Sequence, residues 1–291
     1  VTPSGDVVAT TSGPGSGRAR RRAHERRQRL RSTAIATAST AAVIVSLATL
    51  VPRAAGWPSV RTRFFSREAF LESLPQIWAA IGLNIRIFLV AEAVILVASL
   101  TVAVIRSSRS PLLFPLRAVA TVYVHVVRGI PLILVLFLFG FGIPALRLEG
   151  VTNDQTFWAT AALVFGYTPY VSEVFRAGIS SVHESQRAAA RSLGLSSWQA
   201  LRFVVLPQAT RRVIPPLLND FVALQKDSAL VAFLGPIDAF RRSQIIVSSS
   251  FNYTPYLAAS LIFISFTVPL ALLTDWLIAR QQRRTTSGAV R

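Results

Sequence analysis

The chain has 291 residues, of which 52% are hydrophobic and 15% charged, with a mean hydropathy of +0.49. That balance excludes an ordinary water-soluble domain and fits a membrane protein that crosses the bilayer several times. The net charge of +18 does not argue for nucleic-acid binding, because the arginines fall between apolar runs and not on one soluble face.

Residues 1–32 are rich in Gly, Ser, Pro and Thr and then in arginine, with no apolar periodicity, and predict a disordered basic tail. The apolar run 33–51 is long enough to span, and its basic lead is long for a signal sequence, so it reads as a retained first helix. Five further spans are expected at about 77–105, 118–145, 157–176, 213–234 and 256–279, each of roughly 20 residues or more. Residues 64–75 suggest an amphipathic helix on the outer surface. Residues 33–280 form one all-α transmembrane bundle of about six spans, and 281–291 a short tail. Trp57, Trp78, Trp158 and Trp276 lie near span ends, where an interfacial aromatic belt accounts for them.

Arginine counting sets the orientation. With the N-terminus inside, cytoplasmic segments hold 21 arginines and outer segments seven. The bias places both termini in the cytoplasm. Chemistry is narrowed by what is missing. There is no cysteine, so disulfides and thiolate sites are excluded. His24, His125 and His183 lack metal-ligand spacing. Lys226 is the sole lysine and stands between Gln225 and Asp227, so no phosphate-binding Gly-Lys-Ser/Thr loop exists. The chain therefore has no ATP site of that kind, and an ATPase that drives it is another polypeptide. No cofactor is expected on the chain itself, and no cluster of His, Asp or Glu suggests a membrane enzyme.

The polar stretch 185–207 interrupts the apolar spans. Ala188, Ala189 and Ala190 leave a shallow surface that permits close backbone approach. Gly194 suits a left-handed helix end. Ser196 and Gln199 have capping-box spacing for a second helix, and Ser185 is placed as the N-cap of the first. Leu206-Pro207 sets the angle of re-entry into the membrane. This predicts two short helices joined at Gly194, a cytoplasmic docking peg; an interfacial amphipathic helix held by lipid headgroups is the alternative.

The spacing of Ala188-Ala189-Ala190, Gly194 and Val204-Val205-Leu206-Pro207 resembles the cytoplasmic EAA loop of ABC-importer permeases. Ala188 departs from it, since the family places a glutamate there. Tyr123 to Pro131, with its Arg128-Gly-Ile-Pro, is similar to a segment of the polar amino acid branch, as are Tyr170 to Gly178 and Asn219 to Leu230. The resemblance covers about residues 80–280. It implies ABC ATPase subunits docking on 182–207, a second permease subunit, an extracytoplasmic solute-binding protein, and a bacterial plasma-membrane location. Glu184, Gln186, Ala188, Ala189, Ala190, Arg191, Gly194, Leu206 and Pro207 are the expected ATPase-coupling residues. With alanine at 188, either Glu184 or Gln186 supplies part of the polar interaction that the family's glutamate makes, or packing alone suffices.

Charges within spans are costly and commonly line a pathway. Glu92, Arg128, Lys226, Asp227 and Ser228 are the candidates for a path taken by a zwitterion; ion pairing or snorkelling explains Lys226, Asp227, Arg86 and Arg128 equally well. Glu173 and Arg176, three residues apart, are expected to bridge along one helix face. The expected function is import of polar amino acids. A permease for another small polar solute, such as an opine or compatible solute, and a channel are the alternatives.

Overall fold

The computed structural model describes residues 14–108 and 110–288, with helices and no strand among them. Arg109, the first thirteen residues of the expected basic tail, and 289–291 of the expected C-terminal tail lie outside the described residues. The chain divides into two units between Thr62 and Arg63.

In the first unit, α1 (Pro14–Leu50) is followed by a 3-10 turn, Val51–Arg53. Residues 31–53 are apolar and long enough to cross a membrane. Their hydroxyls are satisfied locally: Thr37, Thr40 and Thr49 each donate to the carbonyl four residues back, at 2.8–2.9 Å. This back-bonding makes such residues compatible with an apolar surrounding. α2 (Trp57–Phe64) follows.

The second unit is built on α3 (Arg67–Ser107) and α7 (Gln155–Ser180). Ser66 caps α3, its Oγ accepting the Ala69 N–H at 3.3 Å. The expected surface helix over 64–75 is instead the start of α3, which runs through Pro75 without a break. At 1.5 Å per residue α3 is about 60 Å long, twice the hydrocarbon thickness, so it projects well beyond it. α4 (Phe114–Arg128) and α5 (Leu132–Phe137), the latter continued through a π-turn into α6 (Ile143–Ala145), make up the expected third span. They are bent by 110° at Gly129–Pro131. Pro131 lacks an N–H and pushes Ile130 out of helical conformation, so a gentle kink becomes a break.

The segment after α7 comprises α8 (Glu184–Ser192), α9 (Ser197–Ala200), a π-turn over Leu201–Val205 and α10 (Leu206–Asp227). A 3-10 stretch, Ser228–Leu234, leads by Gly235 to α11 (Ala239–Ser250) and α12 (Thr254–Gly288). The largest buried cluster joins Ile87, Ala91 and Ile95 of α3 to Leu136 of α5, Ala162 and Leu163 of α7, and Leu224 of α10. A second joins Ile77 and Ile81 to α11 and α12. Between helices in lipid, small residues and dispersion do the packing. Gly166 faces Leu132 and Gly178 faces Val213 so closely that a Cβ would lie 2.5 and 2.0 Å from those side chains.

By length and apolarity, the segments Arg31–Arg53, Trp57–Ser107 and Thr254–Arg280 can cross a membrane, and the bent pair makes a fourth. α7 and α10, of 26 and 22 residues, are long enough but more polar. Their polar groups point into the bundle: Thr168 and Ser172 of α7 and Gln225 of α10 are buried.

Candidate functional site: a coupling segment and an intramembrane polar path

The expected peg is present, with two differences. The N-cap of α8 is His183, not Ser185: the His183 Nδ1 accepts the Ser185 N–H at 3.2 Å. The imidazole does the work expected of a hydroxyl. The second helix is not separate, because α9 continues through the π-turn into α10, whose second residue is Pro207. Leu206-Pro207 is thus part of a continuous lever from the projecting segment into the bundle.

The turn itself matches expectation. Gly194 has φ +83°, its N–H donates to Arg191 O at 3.0 Å, and the Leu195 N–H donates to Ala190 O at 3.2 Å. These two bonds satisfy carbonyls at the end of α8. The capping box is closed on both sides: Ser196 N–H donates to Gln199 Oε1 at 2.8 Å, and Gln199 N–H to Ser196 Oγ at 3.2 Å.

Glu184, Gln186, Ala188, Ala189 and Arg191 are exposed, and so are Leu193 and Gly194. Ala190 is buried on the opposite side of α8. Val182, Val205 and Ala209 form a small buried cluster near the two ends of the segment. Two arginines tie the segment to the bundle: Arg187 Nη2 donates to Ile179 O at 3.0 Å, and Arg212 Nη1 donates to Ser181 O. Leu206 is half-buried and Pro207 exposed. The segment is therefore a stiff projection with an exposed surface and a fixed root on α7 and α10. Ion pairing adds to that root: Glu173 pairs with Arg176 along α7, as expected, and also with Arg106 of α3.

The candidate path residues do not converge on one point. Lys226 is exposed on a groove of about 580 Å³ whose other walls are α11 and α12, with Phe240, Tyr256, Phe263 and Thr267. Asp227, the next residue, faces a different cavity of about 280 Å³, lined also by Tyr167, Tyr170 and Asp220. Lys226 and Asp227 make no ion pair with each other. The Tyr167 hydroxyl donates to Asp227 Oδ2 at 2.6 Å, while the buried Asp220 Oδ2 has no hydrogen-bond partner. Glu92, half-buried on α3, lies close enough to Asp220 for their charges to interact. Arg128 is exposed at the end of α4, its guanidinium 5.5 Å from the centre of the Tyr170 ring, and the Tyr170 hydroxyl donates to Arg128 O at 3.1 Å. Ser228 is buried and donates to Gln225 O at 2.7 Å.

Sequence reasoning missed Tyr167, Asp220, and a buried network in which Asn84 Nδ2 donates to Asp238 Oδ2 at 2.8 Å and the Ala239 N–H donates to Asn84 Oδ1 at 3.1 Å. Asp220 was available as a charge within a span. Asn84 and Asp238 are 154 residues apart, and no local pattern links them.

Residues 95–287 match the family described as binding-protein-dependent transport system inner membrane component. The chain belongs to that family. Among its relatives, a probable glutamine ABC transporter permease of Bacillus subtilis is 36% identical over 172 residues, which is 58% of this chain and 77% of the relative. An arginine transport system permease of the same organism is 31% identical, over 67% of this chain and 88% of the relative. A crystal structure of an amino acid ABC transporter with histidines aligns with a TM-score of 0.67 at 28% identity, covering 74% of this chain and 98% of that one. As a member of the family, this permease is embedded in the membrane, and its peg and its lever from α9 to α10 both lie within the matched region.

Proposed function

We propose that this permease moves polar amino acids into the cytoplasm, paired with a second copy or a homologous permease and driven by separate ABC ATPase subunits. The ATPases dock on the water-facing surface of α8, made by Glu184, Gln186, Ala188, Ala189 and Arg191, with Gly194 fixing its angle. An extracytoplasmic solute-binding protein delivers the substrate. Both termini face the cytoplasm, and the chain itself carries out no covalent chemistry. The stiffness of the segment carries this reading: each end of α8 is closed by hydrogen bonds, and Arg187 and Arg212 pin the root. A displacement of α8 is then passed along α9 and α10 to Lys226 and Asp227 within the bundle.

The substrate class rests on the relatives, which are named for glutamine and arginine transport, and on the charges along the path. Asp227 and Asp220, which line one cavity, suit an ammonium group, whereas Lys226 opens on a separate groove. The energetic requirement is that the ATPases bind two arrangements of the α8 pair with different affinity.

Gly194→Pro tests the coupling. Proline fixes φ near −65° and removes the N–H that closes the turn, so neither the left-handed conformation nor the bond to Arg191 survives. In proteoliposomes holding the full transporter, uptake is expected to fall at least about tenfold while basal ATP hydrolysis persists, since about 1.4 kcal/mol of lost coupling already gives tenfold. Undiminished uptake would sink the assignment.

A further inference from the structure

The first unit carries a charge pattern that the transport reading leaves unused. From Arg18 to Arg31, eight of fourteen residues are arginine, and Glu25 is the lone acid. The backbone of α1 runs unbroken from this stretch into the apolar segment Arg31–Arg53. The basic residues are therefore on a helix joined directly to a spanning segment, not on a free tail.

Their angular distribution matters. Steps of about 100° per residue spread the eight positions round the helix, so they form no single basic stripe with an apolar face behind it. Such a helix does not lie in the interface on a greasy side. It leaves the bilayer with cationic positions on all sides. At 1.5 Å per residue, Arg26, Arg27, Arg29 and Arg31 fall within about 8 Å along the axis, close to one Debye length at physiological salt. Arg18 is only about 20 Å from Arg31. Arginines at that height feel the negative potential of an anionic leaflet. The covalent join keeps them there at high effective concentration, ahead of any soluble polyanion.

The family match begins at residue 95, so this stretch lies outside the matched region. We propose that residues 18–31 are a binding site for anionic phospholipid headgroups of the leaflet from which the first span emerges. The four arginines nearest the span supply most of the preference. The inference rests on charge and helix continuity and does not depend on the docking of ATPases.

The absence of cysteine supplies the test. In the full chain, Ala34→Cys introduces a unique thiol near the start of the span for a fluorophore. The labelled protein is placed in vesicles of phosphatidylcholine with ~30 mol % phosphatidylglycerol, one lipid or the other brominated as a quencher. Quenching per mole of brominated lipid is expected to be about threefold greater for phosphatidylglycerol than for phosphatidylcholine, and to fall to parity in ~0.5 M salt. The variant with Arg26, Arg27, Arg29 and Arg31 all changed to Gln is expected at parity, and the matching Arg→Lys variant to keep the preference. Native-chain parity, preference retained in the Gln variant, or preference lost in the Lys variant as well would overturn the proposal. So would a preference for added RNA, read as a rise in label anisotropy with no lipid selectivity.

Discussion

At Glu173 one carboxylate meets two guanidinium groups. Its Oε2 accepts from Arg176 Nη2 at 2.6 Å and Nε at 3.0 Å, and its Oε1 pairs with Arg106 of α3. The Arg106 side chain is only 8% exposed, so its charge depends on Glu173 for compensation. Removing one member of a buried pair leaves the other uncompensated, which is worse than removing both. Glu173→Gln is therefore expected to lower stability by about 3 kcal/mol, seen as a fall in the thermal midpoint of the detergent-solubilised protein. Adding Arg106→Met should recover part of that loss. A double variant no more stable than Glu173→Gln alone would mean that Arg106 is solvated by other means. The i,i+3 half of this triad was legible in the sequence, because Glu173 and Arg176 share a helix face. The half that matters more, across 67 residues to Arg106, was not. The same holds for Tyr167, whose partner Asp227 was expected near a path but not bonded to a phenol.

Elements show a similar division. Apolar runs located α7 to about a turn at each end and fell on α1, α3 and α12, whose helices run on well past the apolar stretch at one end, because a bilayer demands about 20 apolar residues and little else from a span. They did not reveal that α3 extends forward to Arg67, since its first turns are polar enough to resemble a surface helix. Nor did they give the π-turn over Leu201–Val205 that makes α9 and α10 one lever, because hydrogen-bond register within a helix leaves no compositional mark. Glycine was better signposted. Gly178 lies in the segment that resembles the amino acid branch, and the structure supplies the reason: α7 and α10 approach there so closely that a Cβ would stand 2.0 Å from Val213 Cγ2. The remaining neighbours, Ala209 O at 3.4 Å and Val213 Cβ at 3.5 Å, are at ordinary van der Waals separations. Gly178→Ala should then cost about 1–3 kcal/mol by overpacking. Val213→Ala should cost a comparable amount alone, by leaving a gap. Together they should be nearer to native than either single change. Thermal melts of the four proteins give the coupling term, and additive losses would mean that the helices part by some other route.

For the whole molecule, the number of crossings decides which loops share a side of the membrane, and the break at Gly129–Pro131 is where that count is most exposed. A bend of 110° belongs either to a span in two pieces or to a loop that enters and returns. The two give opposite parity. If the pair crosses, the loop before α4 and the loop before α7 lie on opposite faces; if it returns, they lie on the same face. Arginine placement favours crossing. Arg106 and Arg117 flank the first loop, and α8 and its flanks carry Arg176, Arg187, Arg191, Arg202, Arg211 and Arg212, whereas the loop between α6 and α7 holds only Arg147. Leu112 and Leu193 are 88% and 83% exposed, and Leu148 is 53% exposed, so each tolerates a reporter thiol in a chain that has none. With Leu112→Cys, Leu148→Cys and Leu193→Cys made singly, a membrane-impermeant maleimide is expected to label only the Leu148 variant in intact cells with the outer barrier opened. In inverted vesicles it should label the other two. Labelling of Leu112 and Leu148 variants from the same side would make the bent pair re-entrant and reverse the side assigned to the loops on one side of it. Labelling of the Leu193 variant from outside would remove α8 from reach of any cytoplasmic ATPase, and the lever from α9 to α10 would have nothing to drive it.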